Sequence, residues 1–480
     1  MKRDLGLLAA REHDLLIVGG GIYGVTAAWD AAQRGLHVAL IEAEDFGAGV
    51  SWNSLKTIHG GLRHLQKADI GQMRESLRER RALLRIAPVL VKPLNFLVPT
   101  YGHGAKGREA LAAGLWLFDL LGRDRNHGLA PEQRIPPARS LSRRDVLDLI
   151  PGLPEGGLTG GALWTDAQVS SSERLSLGFV HAAVEAGAIV ANHAAATGFL
   201  RAGARVSGVL AKDTLTGGSL EVRARLVLNA AGPGVDDLLG GAGIKRPKAP
   251  LLRAMNLVLG RPAAAGGRAL GANSGGRFLF LVPWRDRSLI GTAYEPAETD
   301  GAGAVEAFVA EAASAFPWVG LTPDDVVLVH RGLVPGRNGA GGLVTRPRLL
   351  DHETTDGVPG LVSVQGVKYT TARGVAEKVV DLIFRRLGRP SPKCRTAITP
   401  LARARPLEGP LAERVGEAVR DEMAVTLEDA VLRRLDLGTV GPPSAVDLET
   451  VVGAMAAALG WDRVRVGLER AALAKTYRHA

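Results

Sequence analysis

The sequence predicts an α/β protein of several domains, and three observations carry that class. An apolar run, Leu15 to Val18, flows into glycines at positions 19, 21 and 24 and then into apolar residues at helical spacing. A second apolar run, His37 to Ile41, follows and ends in the acid Glu42. Farther along, a strand-rich stretch from Ala249 to about Leu343 stands between segments that repeat the strand-then-helix pattern, and the chain finishes in helical sequence.

The first unit is explained by what each residue has to do. Leu15 to Val18 reads as a buried parallel strand, and Gly19, Gly21 and Gly24 have the G-x-G-x-x-G spacing of a dinucleotide site. Gly19 permits the tight turn, Gly21 lets a pyrophosphate approach bare backbone, and Gly24 lets the next helix lie close to the strand with its N-terminal N–H groups facing the phosphates. Val25, Ala28, Trp29 and Ala32 recur at helical spacing until Gly35 stops the helix. Glu42, at the end of the second strand, is placed to accept bonds from ribose hydroxyls.

Composition narrows the class. With 46% hydrophobic and 22% charged residues the 480-residue chain belongs with soluble globular proteins and is long enough for two or three domains. One cysteine, Cys394, excludes internal disulfides and any cysteine-rich metal or iron–sulfur site. Met1 to His13 is too short and too charged for a secretory signal, and no apolar run reaches the ~18 residues a spanning helix needs. A cytoplasmic location, or one on the inner face of the cytoplasmic membrane, is expected. The formal charge of +10 suits anionic substrates, anionic lipid or nucleic acid. Many arginines lie in mixed-charge helices such as Arg74 to Arg81, aromatics are sparse, and no nucleic-acid module is recognisable, so nucleic acid is not expected as a partner.

A charged helix is expected from about Gln72 to Ile86, ended by Pro88, then a strand from Asn95 to Tyr101 and an apolar helix from Arg108 to Leu121. That helix is read as core, as an oligomer interface such as that of a homodimer, or as a surface attachment to lipid. Leu163 to Val169, with a helix near Ser172 to Ala186, reads as a return to the first fold, as does Leu226 to Ala230 running into Asn229-Ala-Ala-Gly-Pro-Gly234. Strands are expected at Leu251 to Leu259, Phe278 to Pro283, Leu289 to Thr292 and Val326 to His330, interrupted by a helix near Val305 to Phe316. Gly360 to Gly366, leading through Lys368 into a helix to Arg386, is a last return to the nucleotide fold.

Over almost its full length the chain resembles the FAD-dependent glycerol-3-phosphate dehydrogenase family, within the flavin amine and hydroxy-acid oxidoreductases. The resemblance rests on Ile17 to Gly24, Ser54-Leu-Lys-Thr-Ile-His-Gly-Gly-Leu-Arg63, Asp166-Ala-Gln-Val169, Asn229 to Pro233, Val282-Pro-Trp284, Ile290-Gly-Thr292, Gly366 to Thr371 and the C-terminal Val419 to Arg434. It implies a Rossmann-like FAD-binding domain from residues 1–88, 160–248 and 344–388, a β-rich substrate domain from 89–159 and 249–343, and a small C-terminal helical domain over 396–480. It also implies hydride transfer from a small anionic alcohol to flavin, giving a ketone. No second G-x-G-x-x-G follows a strand, so resident FAD is expected, with electrons leaving to a quinone or to oxygen. No metal is expected.

Residue by residue, the resemblance assigns Gly19, Gly21, Gly24 and Glu42 to the AMP half of FAD, and Ser54, Lys56 and Thr57 to the loop around the flavin. Gly232 and Thr370 are further cofactor-binding positions. His59 carries over to the flavin edge, and Arg63, Arg346 and Lys368 to cationic positions by the substrate phosphate. Against these stand ordinary readings: His59 as a packing histidine, Arg346 as a surface residue, Lys368 as a strand-end charge.

The chain also departs from the family pattern. His64 stands where tyrosine is usual, Asn256 where histidine is frequent, and Gly291-Thr-Ala-Tyr294 replaces Gly-Thr-Thr-Asp. Gly-x-Arg-Pro reads Gly332-Leu-Val-Pro335, so Val334 takes the arginine's place and Arg331 can compensate only if the strand is displaced. The flavin is therefore better supported than the substrate. A flavin oxidase of an amino or hydroxy acid using oxygen, and a non-catalytic FAD-binding subunit, are the competing readings.

Overall fold

The computed structural model describes residues 1–65, 68–104, 107–275, 277–298, 303–337 and 342–477. The last three residues of the expected helical domain lie outside these.

Two sheets organise the chain. In the first, the strands run in the order Arg348–Asp351, Leu361–Gln365, Ser219–Asn229, His13–Val18, Val38–Ile41 and Ile189–Ala191. All neighbours pair in parallel except Arg348–Asp351, which is antiparallel to Leu361–Gln365. His13–Val18 is buried at every position, as a central parallel strand covered on both faces must be. On one face the first helix, Ile22–Gln33, packs beside Ser172–Glu185 and Ala372–Leu387, with the Trp29 and Phe179 rings 5.5 Å apart. The opposite face is covered by apolar residues of Ala194–Ala202, Arg205–Asp213 and Val235–Gly241.

The second sheet runs Val326–Pro335, Leu251–Leu259, Arg287–Pro296, Arg277–Trp284, Ala269–Ser274, Val91–Tyr101, Leu158–Val169 and Thr57–Ile58. Helix Ala304–Ala315 covers one face, its Phe308, Val309 and Ala312 sharing a buried cluster with Met255, Leu257 and Leu281. The other face, with Phe96, Trp164, Val258, Val282 and Leu328, turns toward Leu55 and the loop that follows the first nucleotide unit.

One expectation changes here. Leu163 to Val169 does not return to the nucleotide sheet; the longer strand Leu158–Val169 pairs antiparallel with Val91–Tyr101 along its length. A strand running into a helix is compatible with either sheet, and only its long-range partner decides. The helix that follows, Ser172–Glu185, does pack on the nucleotide side.

The C-terminal part comprises Leu411–Glu422, a π-helical segment Asp429–Arg434, Ala445–Leu459 and Arg463–Tyr477, with its own apolar cluster around Val415, Leu427, Val451 and Met455. It is fastened to the nucleotide side by buried charge. Arg434 grips Asp45 through two bonds of 2.6 and 2.8 Å, Arg433 adds another to Asp45, and Arg174 forks onto Glu422. Asp45 lies three residues after Glu42, so the C-terminal helices hold the loop beside the expected ribose site. Among the described residues no helix is long and apolar enough to cross a membrane.

Candidate active site

The glycine turn is built as the sequence requires. Gly19 has φ +108°, and a Cβ there would lie 2.5 Å from the Ala230 carbonyl oxygen; one at Gly24 would overlap the Gly19 carbonyl. The first helix begins at Gly21 with no capping side chain of its own, leaving its N-terminal end to a ligand, although Ser51 Oγ takes the Ile22 N–H at 2.9 Å. Glu42 accepts the Gly20 and Glu44 N–H groups, and burial pushes its carboxyl upward. Gly232, with φ +58°, presents bare backbone to open space. Tyr23 from the first helix donates to the Lys368 carbonyl at 3.0 Å, drawing the 366–371 loop, including buried Thr370, to the same end of the sheet.

Lys56 is turned the other way. Its ammonium is fully buried and donates to the Trp52 carbonyl, Ser172 Oγ and Glu173 Oε1 at 2.7, 2.9 and 2.7 Å, using all three of its protons inside the protein. It therefore shapes the flavin-side loop from behind rather than presenting its charge. Ser54 accepts from the Lys56 N–H through Oγ, and its carbonyl faces the ring of buried His330, which burial pushes down to about 4.

His59 owes its place to strand register. Thr57 pairs with Gln168 and Ile58 with Ala167, so the next step sets His59 opposite Asp166. The His59 Nδ1 lies 3.3 Å from Asp166 Oδ2, and Nε2 lies 2.9 Å from Thr57 Oγ1. Asp166 also accepts from the Gly60 N–H at 2.7 Å, from Trp164 Nε1 at 3.3 Å and from the buried guanidinium of Arg80. Burial alone raises a carboxyl, yet the His59 bond and the Arg80 charge hold Asp166 at about 2, so it is ionised at neutral pH. An ionised Asp166 accepts the Nδ1–H, which makes Nε2 the acceptor side of the ring, where the Thr57 hydroxyl donates. The rings of Phe96 and Phe280 lie tilted against His59, each 5.7 Å away between centroids. No local pattern announced Asp166 or Arg80 as partners, because Asp166 reaches His59 by strand pairing across 107 positions and Arg80 reaches Asp166 across 86.

Two of the expected cations, Lys368 and Arg346, fall on one connected network. Lys368 Nζ donates to His64 Nε2 at 3.0 Å and to Gln72 Oε1 at 2.8 Å; Gln72 donates to Asp69, and Asp69 accepts from Arg346 at 2.9 Å. Arg63, beside His64 on the short helix Leu62–Leu65, is exposed. Arg346 is exposed as well, and its bond holds Asp69 well below the usual carboxylate range.

Arg331 does not join them. The pairing of Val326–Pro335 with Leu251–Leu259 runs unbroken from Leu252↔Val334 to Val258↔Leu328, so the strand is not displaced. Alternation therefore puts Arg331 on the helix-covered face, where Arg253, Glu295 and Glu306 act on its charge. Val334 occupies the flavin-side position and is packed with Leu252, Ala254, Val50 and Val367.

The profile of the FAD dependent oxidoreductase family matches residues 14–382. A glycerol-3-phosphate dehydrogenase of Synechocystis is 34% identical over 423 residues, covering 82% of this chain and 74% of that one. The chain belongs to the FAD-dependent oxidoreductases, in their glycerol-3-phosphate dehydrogenase family. A glycerol-3-phosphate dehydrogenase of Mycobacterium leprae is 33% identical over 380 residues, 77% of this chain, and the match spans only 63% of that longer relative. The fold agrees with the structure of the Bacillus halodurans glycerol-3-phosphate dehydrogenase complexed with FAD, at a TM-score of 0.75 and 22% identity, covering 99% of this chain and 96% of that one.

The residues of this FAD-dependent oxidoreductase fit the cofactor. The cradle at Gly19 and Gly24 would be filled by any Cβ, the first helix opens toward it, and the bare backbone at Gly232 faces space. Gly19, Gly21, Gly24 and Glu42 would hold the adenosine diphosphate half, and the 54–57 and 366–370 loops the flavin half. Bound there, FAD supplies a two-electron hydride acceptor. Among the described residues no cluster of three metal-ligating side chains occurs.

Proposed function

We propose that this oxidoreductase converts sn-glycerol 3-phosphate to dihydroxyacetone phosphate. The observation that carries the reading is the His59–Asp166 pair, placed four residues from Arg63 and on the side of the Lys368–His64 contact. His59 Nε2 accepts the proton of the alcohol as the Thr57 hydroxyl gives way, Asp166 fixes the ring and steadies the imidazolium that forms, and Phe96 and Phe280 pack beside the ring. Arg63, Lys368 and Arg346 orient the phosphate, for which a planar guanidinium and a mobile ammonium are both suited. The Synechocystis and mycobacterial relatives carry the name of this activity.

A quinone is the electron acceptor in this reading, since no second nucleotide fingerprint is present. Helix Arg108–Leu121 buries Leu115 and Phe118 but exposes Trp116 and Leu120 beside Arg123, a surface suited to the inner face of the cytoplasmic membrane. In this reading the FAD-binding domain comprises 1–88, 170–248 and 344–388, the substrate domain 89–169 and 249–343, and the helical domain 396–480, the strand Leu158–Val169 going with the second sheet.

The purified flavoprotein, given sn-glycerol 3-phosphate and a soluble quinone, should form dihydroxyacetone phosphate, and glycine or L-proline should yield no reduced quinone. Charge reversal in Arg63→Glu should raise the substrate concentration needed by ~100-fold or more while the flavin spectrum is retained. Turnover of the amino acids alone, or loss of flavin from Arg63→Glu, would refute the assignment.

A further inference from the structure

Asn256 is 2% exposed on the flavin-side face of Leu251–Leu259, paired with Gly291 on one neighbour and His330 on the other. Its Oδ1 accepts the Thr292 hydroxyl at 2.8 Å, which fixes the plane of the amide. No described residue accepts from Nδ2, yet that nitrogen is not sealed off from accessible space. A donor that meets no protein acceptor but reaches accessible space is free to bond whatever enters that space.

Its surroundings say what arrives. Gly291 has no room for a side chain, since a Cβ would strike Asn256 Oδ1 and lie 3.1 Å from Leu55 of the flavin-side loop. Phe280, the other strand partner of Gly291, touches His59. Tyr294 bonds to Thr292 and is acted on by the Arg63 charge. The open N–H therefore lies in the wall between the proton acceptor and a phosphate-orienting cation.

We infer that Asn256 Nδ2 donates a hydrogen bond to the substrate oxygen undergoing oxidation, with Thr292 as the positioning residue that aims it. The inference rests on the proposed alcohol oxidation. There the O–H proton would go to His59 Nε2 and the C–O bond would become C=O, with FAD, held by the 54–57 and 366–370 loops, supplying the acceptor for the carbinol hydrogen and its electron pair. Negative charge gathers on that oxygen as the proton departs, so a fixed neutral donor aids the step more than it aids substrate binding. Asn256 thereby supplies a hydrogen bond where Val334 supplies none.

The test uses the holoenzyme, mixed anaerobically with sn-glycerol 3-phosphate while flavin absorbance is followed. Asn256→Ala should lower the limiting reduction rate by ~100-fold and change the substrate dissociation constant by less than about threefold, with flavin content and reduction by dithionite unchanged. Thr292→Val should lose about tenfold, and Asn256→His, which restores a donor, should recover at least about tenfold over Asn256→Ala. A second readout needs no turnover. The Asn256→Leu/Thr292→Val double variant, lacking the open donor, should melt no lower than wild type without substrate, whereas a structural role for the pair predicts a fall. A wild-type rate in Asn256→Ala, loss of its flavin, or a lower melting temperature in the double variant would each overturn the inference. An inactive wild type would instead fail the function, and the melting comparison would still decide whether the pair is structural.

Discussion

Replacing Asp166 by Asn probes the proton path most sharply. The side chain keeps its shape, and its remaining oxygen can still accept the Gly60 N–H and the Arg80 guanidinium, which both point at Oδ1. The new NH2 then faces His59 Nδ1, where Asp166 Oδ2 lay at 3.3 Å. With its oxygen held by Gly60 and Arg80, the amide offers Nδ1 only its NH2, which donates, so His59 turns to the tautomer with its proton on Nε2 and ceases to be a base there. Loss of a positioned general base costs about 10² to 10⁴ in rate, and the analogous wrong-tautomer substitution in serine-protease triads costs ~10⁴. We expect the anaerobic flavin reduction rate to fall about 10³-fold, equivalent to ~4 kcal/mol of barrier. Arg80, buried and already with Nε and Nη2 unpaired, also loses its counter-charge, so a stability loss of a few kcal/mol, at most ~3–5, should accompany it. Stopped-flow reduction and urea unfolding on one preparation separate the two effects. A folded, flavin-loaded Asp166→Asn that is reduced within about threefold of the wild-type rate would refute the role given to His59.

Lys56→Met should destabilise the protein by ~3–5 kcal/mol in urea unfolding, because Glu173 would remain buried without its cation. Arg434→Met should loosen the Asp45 loop, weakening FAD retention during dialysis as well as lowering the melting temperature. Gly24→Ala should abolish bound flavin, visible in the absorption spectrum, since the methyl group would overlap the Gly19 carbonyl. Acid should unfold the protein through two depressed carboxyls, Asp166 and Glu422, each at about 2 in the fold and ordinarily at 3.8 and 4.5. Their contribution is fully present above pH ~4.5 and is lost as pH falls toward about 2. For Glu422 it is on the order of 3 kcal/mol, so Glu422→Gln should flatten the dependence of unfolding midpoint on pH below that value.

Much of this was written in local sequence. The glycine spacing at Gly19, Gly21 and Gly24 and the acid at Glu42 require neighbouring backbone only, and they lie where the spacing places them. Helix Arg108–Leu121 and strand Leu251–Leu259 have the predicted limits because apolar periodicity and glycine or proline boundaries mark both ends. What local sequence does not hold is partnership. Leu163 to Val169 looked like a nucleotide strand until its pairing with Val91–Tyr101 placed it in the other sheet. Lys56 looked like a cofactor contact until its buried partner Glu173, 117 positions away, turned it inward. Arg331 was excluded by an unbroken register, a property of two strands rather than one. The same long-range pairing created the His59–Asp166 couple.

The central claim is tested most directly by adding sn-glycerol 3-phosphate to the purified flavoprotein without oxygen and recording the visible flavin band. The account predicts full bleaching at saturating substrate, to the level dithionite gives, and much slower bleaching by unphosphorylated glycerol at equal concentration. A flavin that dithionite reduces but sn-glycerol 3-phosphate leaves oxidised would contradict it.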